Sequence, residues 1–327
     1  MGYKIGSFNI ENLGLGALDT KKDQSKDRDL KKIAEIIRKE NFDIVAFQEI
    51  KSEGKAFWVN GTSTKQGILY ELGRNWEFWP NKNENISGNT EFAFVWRKDR
   101  VALSEGNNPC LTEYRKRGEA VELIRNPIIA RFTPIHLPKM EIRLIDVHLF
   151  FGSNKFIDIE RRKKEFQTLI KEILNKYDDK RYGDNKQSFT FAIGDYNLNL
   201  PVLIPDNRNL FASIESNTEV DGKVFKTVQY DPTTIQGKSE EDSESKVNIQ
   251  NDKKEIIADE VKDLLGKEGN YWANNYDHAT YNAAYDGKAM ITDQRINVIA
   301  KYCGNDFVSY QEKVSDHVPI ALTIELT

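Results

Sequence analysis

The sequence predicts an α/β (α+β) sandwich: two mostly antiparallel β-sheets packed face to face, with helices on the outside. Three observations predict it. Short apolar segments of strand length outnumber helical ones and recur from Tyr3 to Leu326. Several lie close together in hairpin-like pairs. Two stretches carry the spacing of an amphipathic helix, so sheets with outer helices are the layers available.

Tyr3 to Ile10 reads as the first strand, with Ile5 and Phe8 apolar, and a polar loop follows from Glu11 to Lys26. Leu30, Ile33, Ala34 and Ile37 fall at i, i+3, i+4, i+7, one apolar face of a helix over about Asp27 to Glu40. Phe42 to Phe47 is a buried strand ending at Gln48-Glu49, and Phe57 to Leu72 is helical or turn-rich. Glu91 to Trp96 and Val101 to Leu103 look like adjacent strands split by the polar turn Arg97 to Arg100. Ile128 to Phe132 and Ile142 to Leu149 look like a second pair, with Pro134 and Pro138 in the connection.

Phe156 to Tyr177 is the longest helix: Ile159, Phe166, Leu169, Ile170, Ile173 and Leu174 line one side, and Arg161 to Lys164 fall in the polar sector. Phe189 to Ile193 is a buried strand closed by Gly194-Asp195. Gly237 to Lys254 is charged and Ser-rich, and reads as a mobile surface insertion. A short helix from Glu255 to Leu265 follows, and Ile296 to Ala300 and Val318 to Leu326 read as closing strands.

With 327 residues, 39% of them hydrophobic, the chain can bury a sizeable core, and no long linker divides it. A single domain over 1–327 is expected. The formal net charge of -4 argues mildly against tight passive binding of nucleic acid, but not against a hydrolase whose site holds a cation. Cys110 and Cys303 have neither metal-ligand spacing nor a disulfide framework, which points to free thiols in a reducing compartment. The first residues lack an apolar signal-peptide core, and no run of about 20 apolar residues exists to cross a membrane. A cytoplasmic location without membrane contact is the expectation.

Chemically competent residues recur at strand ends. Asn9 follows Ser7-Phe8, Glu49 ends Phe47-Gln48-Glu49, and Glu91 precedes Phe92-Ala93-Phe94. Arg125 precedes Asn126-Pro127, His148 follows Asp146-Val147, Asp195 and Asn197 follow Ile193-Gly194, and Asp316-His317 precede Val318-Pro319. A single polar strand end is ordinarily just a solvated boundary. The repeated types are the ones needed to bind a divalent cation, hold a phosphate and move protons. Alternation also allows Asp195 and Asn197 to face one cleft.

The motifs Ser7-Phe8-Asn9, Gln48-Glu49, Asp146-Val147-His148, Gly194-Asp195-Tyr196-Asn197 and Ser315-Asp316-His317 resemble the endonuclease/exonuclease/phosphatase superfamily, of which deoxyribonuclease I is the type member. They span residues 7 to 317 in the family's order. Arg125-Asn126-Pro127 is similar to the Arg-Glu-Pro of the deoxyribonuclease branch and departs from it at Asn126. The resemblance implies Glu49 as the main metal carboxylate, assisted by Asn9 and Asp316, for Mg²⁺ with Mn²⁺ or Ca²⁺ as alternatives. It implies His317 as the activator of the attacking water and His148 as the partner of the leaving oxygen. Glu91 would orient His148, and Asp277 would orient His317. Asp286, in Ala284-Tyr285-Asp286, and Asp293 stand as alternatives to Asp277. Asp195 would hold the water or the metal, while Asn197 and Arg125 would contact the phosphate. His278 has no role in this scheme.

The activity implied is in-line hydrolysis of a phosphodiester, most directly by an endonuclease acting on DNA. A phosphatase or phosphodiesterase of a small-molecule or lipid phosphate on the same fold is the alternative, and a catalytically inactive binding module is a third reading. Lys21-Lys22, Lys26 to Lys32, Arg115 to Arg117 and Lys180-Arg181 are basic clusters that could meet a backbone or simply be solvated. Trp58, Trp76, Trp79 and Trp272 could be stacking platforms or core. The acidic stretch near 239–244 suggests a contact for a protein partner.

Overall fold

The period-2 geometry of a strand sends alternate side chains to opposite faces, and here that alternation decides where the chemistry ends up. The computed structural model describes residues 2–14, 26–51, 55–58, 67–79, 91–104, 109–111, 123–152, 156–182, 186–200, 202–203, 209–210, 214–235 and 272–326. Strands β1 (Gly2–Gly14) and β2 (Lys26–Asp27) precede helix α1 (Leu30–Lys39) and strand β3 (Ile44–Ile50). Helices α2 (Lys55–Trp58) and α3 (Ile68–Leu72) lead to β4 (Trp76–Trp79), β5 (Phe92–Arg97), β6 (Val101–Leu103) and β7 (Cys110–Leu111). Next come β8 (Ile128–Pro134), β9 (Met140–His148) and helix α4 (Phe156–Thr168). A π turn (Leu169–Leu174) and α5 (Asn175–Asp179) continue α4. The chain then forms β10 (Gln187–Asp195), β11 (Val202–Leu203), β12 (Asn209–Leu210), β13 (Asn217–Val220), β14 (Lys223–Val228) and β15 (Asp277–Asn282). A 3-10 turn (Ala283–Gly287), β16 (Ala289–Arg295), helices α6 (Val298–Tyr302) and α7 (Phe307–Lys313), and β17 (Ile320–Leu326) complete it.

One sheet runs β16-β17-β1-β3-β5-β4, with β2 on β1; the other runs β13-β14-β15-β10-β9-β8-β6, with β7 on β8. Most pairings are antiparallel, and β1–β3, β1–β2 and β9–β10 are parallel. Tyr3, Ile5, Ile44, Ala46, Leu144, Phe191, Ile193, Ala279 and Tyr281 interdigitate between the sheets. Helix α1 covers the outside of one sheet through Leu30, Ile33, Ala34 and Ile37. Asp29 caps it by accepting from Lys32 N at 2.9 Å, which starts the helix slightly later than the apolar spacing predicts. The α4 helix and its π turn cover the other sheet through Phe166, Leu169, Ile170, Ile173 and Leu174. The antiparallel sandwich with outer helices is therefore the observed architecture.

Two expected details differ. β5 and β6 are not neighbours: β5 pairs with β3 and β4, while β6 pairs with β8 in the other sheet. The polar turn Arg97 to Arg100 is the crossover between layers. Ile296 to Ala300 is not a strand; Asn297 accepts from Ala300 N at 3.1 Å and caps helix α6. The insertion 237–254, its acidic stretch, the helix expected over Glu255 to Leu265, and the clusters Lys21-Lys22 and Arg115 to Arg117 lie outside the described residues.

Candidate active site

The inward rows of five strands begin apolar and end polar at the same edge. In β1 the row is Tyr3, Ile5, Ser7, Asn9; in β3 it is Ile44, Ala46, Gln48. In β9 it is Leu144, Asp146, His148; in β10 it is Phe191, Ile193, Asp195; and β15 runs the other way, Tyr281, Ala279, Asp277. Register fixes their convergence, because Asn9 stands opposite Gln48, and Asp195 stands opposite both His148 and Asp277. Gly194 permits the close approach of β10 to β9. Its φ is +148°, and a Cβ there would lie 2.0 Å from Val147 O.

Asn9 is the junction of the two sheets. Its Nδ2 donates to Glu49 Oε1 at 3.1 Å and to Asp195 Oδ2 at 3.0 Å. Glu49 sits just past the straight part of β3 with φ +62°, and Glu11 and Asn12 have φ +41° and +59°. These left-handed residues fold the rim back, so that Asn12 N donates to Glu49 Oε2 at 3.1 Å. Ser315 ties the last loop in: its hydroxyl donates to Asn9 O at 2.7 Å and accepts from His317 N at 3.0 Å.

His317 Nδ1 lies 2.7 Å from Asp277 Oδ2, a charge-assisted contact that fixes the ring and leaves Nε2 facing the cleft. Nε2 is 3.8 Å from both Asp195 Oδ2 and Asp316 Oδ1. Burial opposes charge on this imidazole, but the Asp277, Asp316 and Asp195 carboxylates overcome it and hold its pKa well above the usual value. Asp286 is elsewhere, in the 3-10 turn, with Lys226 and Tyr281 as partners. Asp293 lies on β16.

His148 Nε2 is 3.8 Å from Glu49 Oε1 and from Asp195 Oδ2. Burial pushes its pKa well down, and Arg125, His317 and Lys51 push the same way. The Nδ1 atom is buried with no hydrogen-bond partner among the described residues; Glu91 Oε2 stands 3.9 Å away. Glu91 is instead gripped by Lys51 Nζ at 2.8 Å and Arg125 Nε at 2.7 Å. Burial works against its charge, and these two cations hold its pKa below the usual range. Arg125 also donates to Leu149 O at 3.3 Å. Asp195 is pushed up to about 7 by burial, with the Asp277 and Glu49 charges adding to it and His317 opposing. Asn197, at φ +51°, donates from its backbone to Asp195 Oδ1 at 2.8 Å and from its amide to Leu149 O at 3.1 Å.

The oxygens around Glu49, Asn9 and Asp316 fit a hard cation. Asp316 Oδ1 is buried with no hydrogen-bond partner among the described residues, and Glu49 keeps about a fifth of its side chain exposed. Among the described residues no group of three or more His, Cys, Asp or Glu side chains is placed to hold a metal ion.

Sequence reasoning missed several supports. Arg162 and Glu165, on the polar side of α4, are buried. Arg162 Nη1 donates to Asn197 O at 2.7 Å, and Glu165 accepts from Phe150 N and Ile124 N at 2.7 and 3.1 Å. Periodicity carries no signal for either. His278 is buried, with Nδ1 3.0 Å from Gln229 O and Nε2 2.8 Å from Leu198 O. Burial lowers its pKa, and a neutral ring donates to one of those carbonyls. Arg28, in a cluster weighed as a backbone contact, is buried and donates to Gln311 O and Glu312 O at 2.7 and 3.0 Å. Trp79 and Trp272 are core.

No family model and no curated protein matches this sequence. Solved structures do resemble the fold. An endonuclease/exonuclease/phosphatase family protein from Bacteroides thetaiotaomicron aligns with a TM-score of 0.50 at 12% identity, over 99% of this chain and 97% of that one. TDP2 from D. rerio, in complex with a single-strand DNA product, aligns with a TM-score of 0.50 at 15% identity, over 99% of both chains. A conserved protein from Enterococcus faecalis V583 gives 0.50 at 14%, also over 99% of both. The chain shares the fold of these proteins over nearly its whole length.

Proposed function

We propose that this protein is a divalent-metal-dependent phosphodiesterase that cuts a nucleic-acid backbone, with DNA as the first substrate to test. One observation carries the reading: both histidine Nε2 atoms lie 3.8 Å from the same Asp195 oxygen, which Asn9 links to Glu49. Two proton-transfer groups and the metal-type oxygens thus converge on one carboxylate oxygen. The D. rerio protein's complex with a DNA product supports nucleic acid as the substrate class.

His317 Nε2 and Asp195 Oδ2 are too far apart to bond each other and close enough to share one water. His317 takes that water's proton through Nε2, while Asp277 holds Nδ1 and stabilises the cation that forms. Asn197 and Arg125 flank Leu149 O and present the remaining donors to the phosphate. His148, on the other side of Asp195, assists the departing oxygen. Glu49, Asn9 and Asp316 would hold a divalent cation, which would supply charge stabilisation for the pentacoordinate phosphorus.

The test is nicking of supercoiled plasmid with Mg²⁺ or Mn²⁺, with EDTA as control, beside a panel of inositol and lipid phosphates. Metal-dependent nicking is the expected result. Turnover of the panel alone would move the substrate class to small or lipid phosphates, and no product from any substrate would leave a binding module. Glu49→Ala is expected to raise the Mg²⁺ concentration needed for half-maximal rate.

A further inference from the structure

The turn after β10 is gripped by side chains to which the proposed chemistry gives no task. Arg162, on α4, is 2% exposed and inserts its guanidinium under the turn to donate to Asn197 O at 2.7 Å. The same guanidinium is a hydrogen-bond partner of the Tyr276 side chain, next to Asp277. From the opposite side His278, on β15, meets the next carbonyl, Leu198 O, at 2.8 Å. A buried guanidinium is costly unless hydrogen-bonded. Helix packing alone does not need one here, since Phe166 and Leu169 already seat α4 on the sheet.

What the grip holds is conformationally demanding. Asn197 adopts φ +51°, and its N–H occupies Asp195 Oδ1 at 2.8 Å, leaving Oδ2 for Asn9 and the cleft. Release of the Asn197 carbonyl would free the turn to leave the left-handed region. The Asn197 amide would then lose its place on Leu149 O, and Asp195 the donor that fixes its rotamer.

Resting on the phosphodiesterase reading above, we infer that Arg162 is a positioning residue for that site: with His278 it clamps the Asn197 and Leu198 carbonyls and thereby aims Asn197 and Asp195. It acts through the turn and does not touch the reacting atoms.

Arg162→Lys in the full chain tests this, because it keeps the charge and loses the planar fork. Three quantities are measured: kcat and KM on the ester that wild type hydrolyses, the melting midpoint, and hydrogen exchange at the Asn197 and Leu198 amides. The expected result is a kcat about tenfold lower with KM changed by less than about twofold. Exchange at the two amides should be faster, with the global melting transition retained. In an Asn197→Ala background the same substitution should cost clearly less than in wild type, since the Asn197 amide is gone and only the backbone N–H that holds Asp195 remains to be aimed. Equal losses in both backgrounds, or unchanged kcat and exchange, would overturn the inference. Should Arg162→Lys not fold, His278→Gln is measured in the same way against the same outcomes. If wild type hydrolyses no ester, the functional reading fails, while the exchange measurement still decides whether the clamp exists.

Discussion

Two buried charged clusters sit at opposite ends of strand β9 and differ in how completely they are satisfied. Near its start, on the outer face, Glu141 accepts from Arg131 Nε and Nη2 at 3.0 and 2.6 Å and from Arg143 Nε at 2.5 Å. Arg143 Nη1 also donates to Tyr177 O and Lys180 O, and Arg131 stacks 3.5 Å from the Tyr182 ring centroid. At the other end, on the inner face, His148 meets Asp195, with Asp277, Asp316 and Glu49 close by. There His148 Nδ1, Asp277 Oδ1 and Asp316 Oδ1 are buried without hydrogen-bond partners among the described residues. Residues with left-handed φ crowd that rim and are not needed at the first end. In the first cluster the charges close on one another, whereas in the second three buried polar atoms have no partner among the described residues.

The largest expected effect breaks the closed cluster. Glu141→Ala leaves two buried guanidinium groups unpaired and should cost about 3–5 kcal/mol of stability, read from denaturant unfolding. Activity per folded molecule should stay near wild type, because no atom of this cluster reaches the cleft. Its pH signature has a definite sign. Burial raises the Glu141 pKa, but Arg131 and Arg143 more than offset that and hold it below its unfolded value. Its contribution is therefore present above about pH 4.3 and lost as pH falls through the folded pKa.

The open cluster should respond in the opposite manner. His317→Ala and His148→Ala are each expected to lower kcat about 100-fold or more while the melting midpoint moves little. Full activity in both variants would remove the assigned pair. The pH profile sharpens this further. His317 must be neutral to accept a proton, and its raised pKa means that the rate climbs with pH above the ordinary histidine range. Because Asp195 titrates beside it, the observed midpoint belongs to the pair. Asp277→Asn removes one of the charges that raise His317, so the acid limb should shift to lower pH by about one unit or more. An unshifted limb in a pH–rate comparison would argue against the Asp277 contact.

The contrast between the ends of β9 also explains what was legible in the sequence. Asn9, His148 and Asp195 end period-2 rows, so position marks them as candidates, whereas Glu49 and His317 lie off those rows and only their motifs single them out. Both Asp277 and Asp286 follow a tyrosine, and the local signal that favours Asp277 is that Gly287-Lys288, not an apolar strand, follows Asp286, which lies in a 3-10 turn. Arg162 was hidden for a different reason. The helical period puts it among Arg161 to Lys164, and only the depth of the Asn197 turn makes one of those four buried. Ile296 to Ala300 misled because a short β-branched run fits strand and helix alike, and the cap by Asn297 decides the matter. The crossover at Arg97 to Arg100 looked like a hairpin because a polar turn does not reveal which layer the next strand joins.

The smallest expected effect is a gain. Asp195 is buried, and burial pushes its pKa to about 7, above the unfolded value near 3.9. Between those two values the folded state binds more protons than the unfolded one, so Asp195 draws stability down as pH rises through that window. Asp195→Asn keeps an oxygen acceptor for one of the Asn9 and Asn197 donors and removes the ionisation. Measured in EDTA, the variant should gain stability relative to wild type, by more at pH 8 than at pH 5, because the wild type loses stability as pH rises between those values. The same isosteric change at Glu141 should lose stability at both pH values, because the buried guanidinium groups lose their counter-charge. A gain at Asp195 that does not depend on pH would assign it to packing, and a loss would mean that the open end of β9 is as self-contained as the closed one.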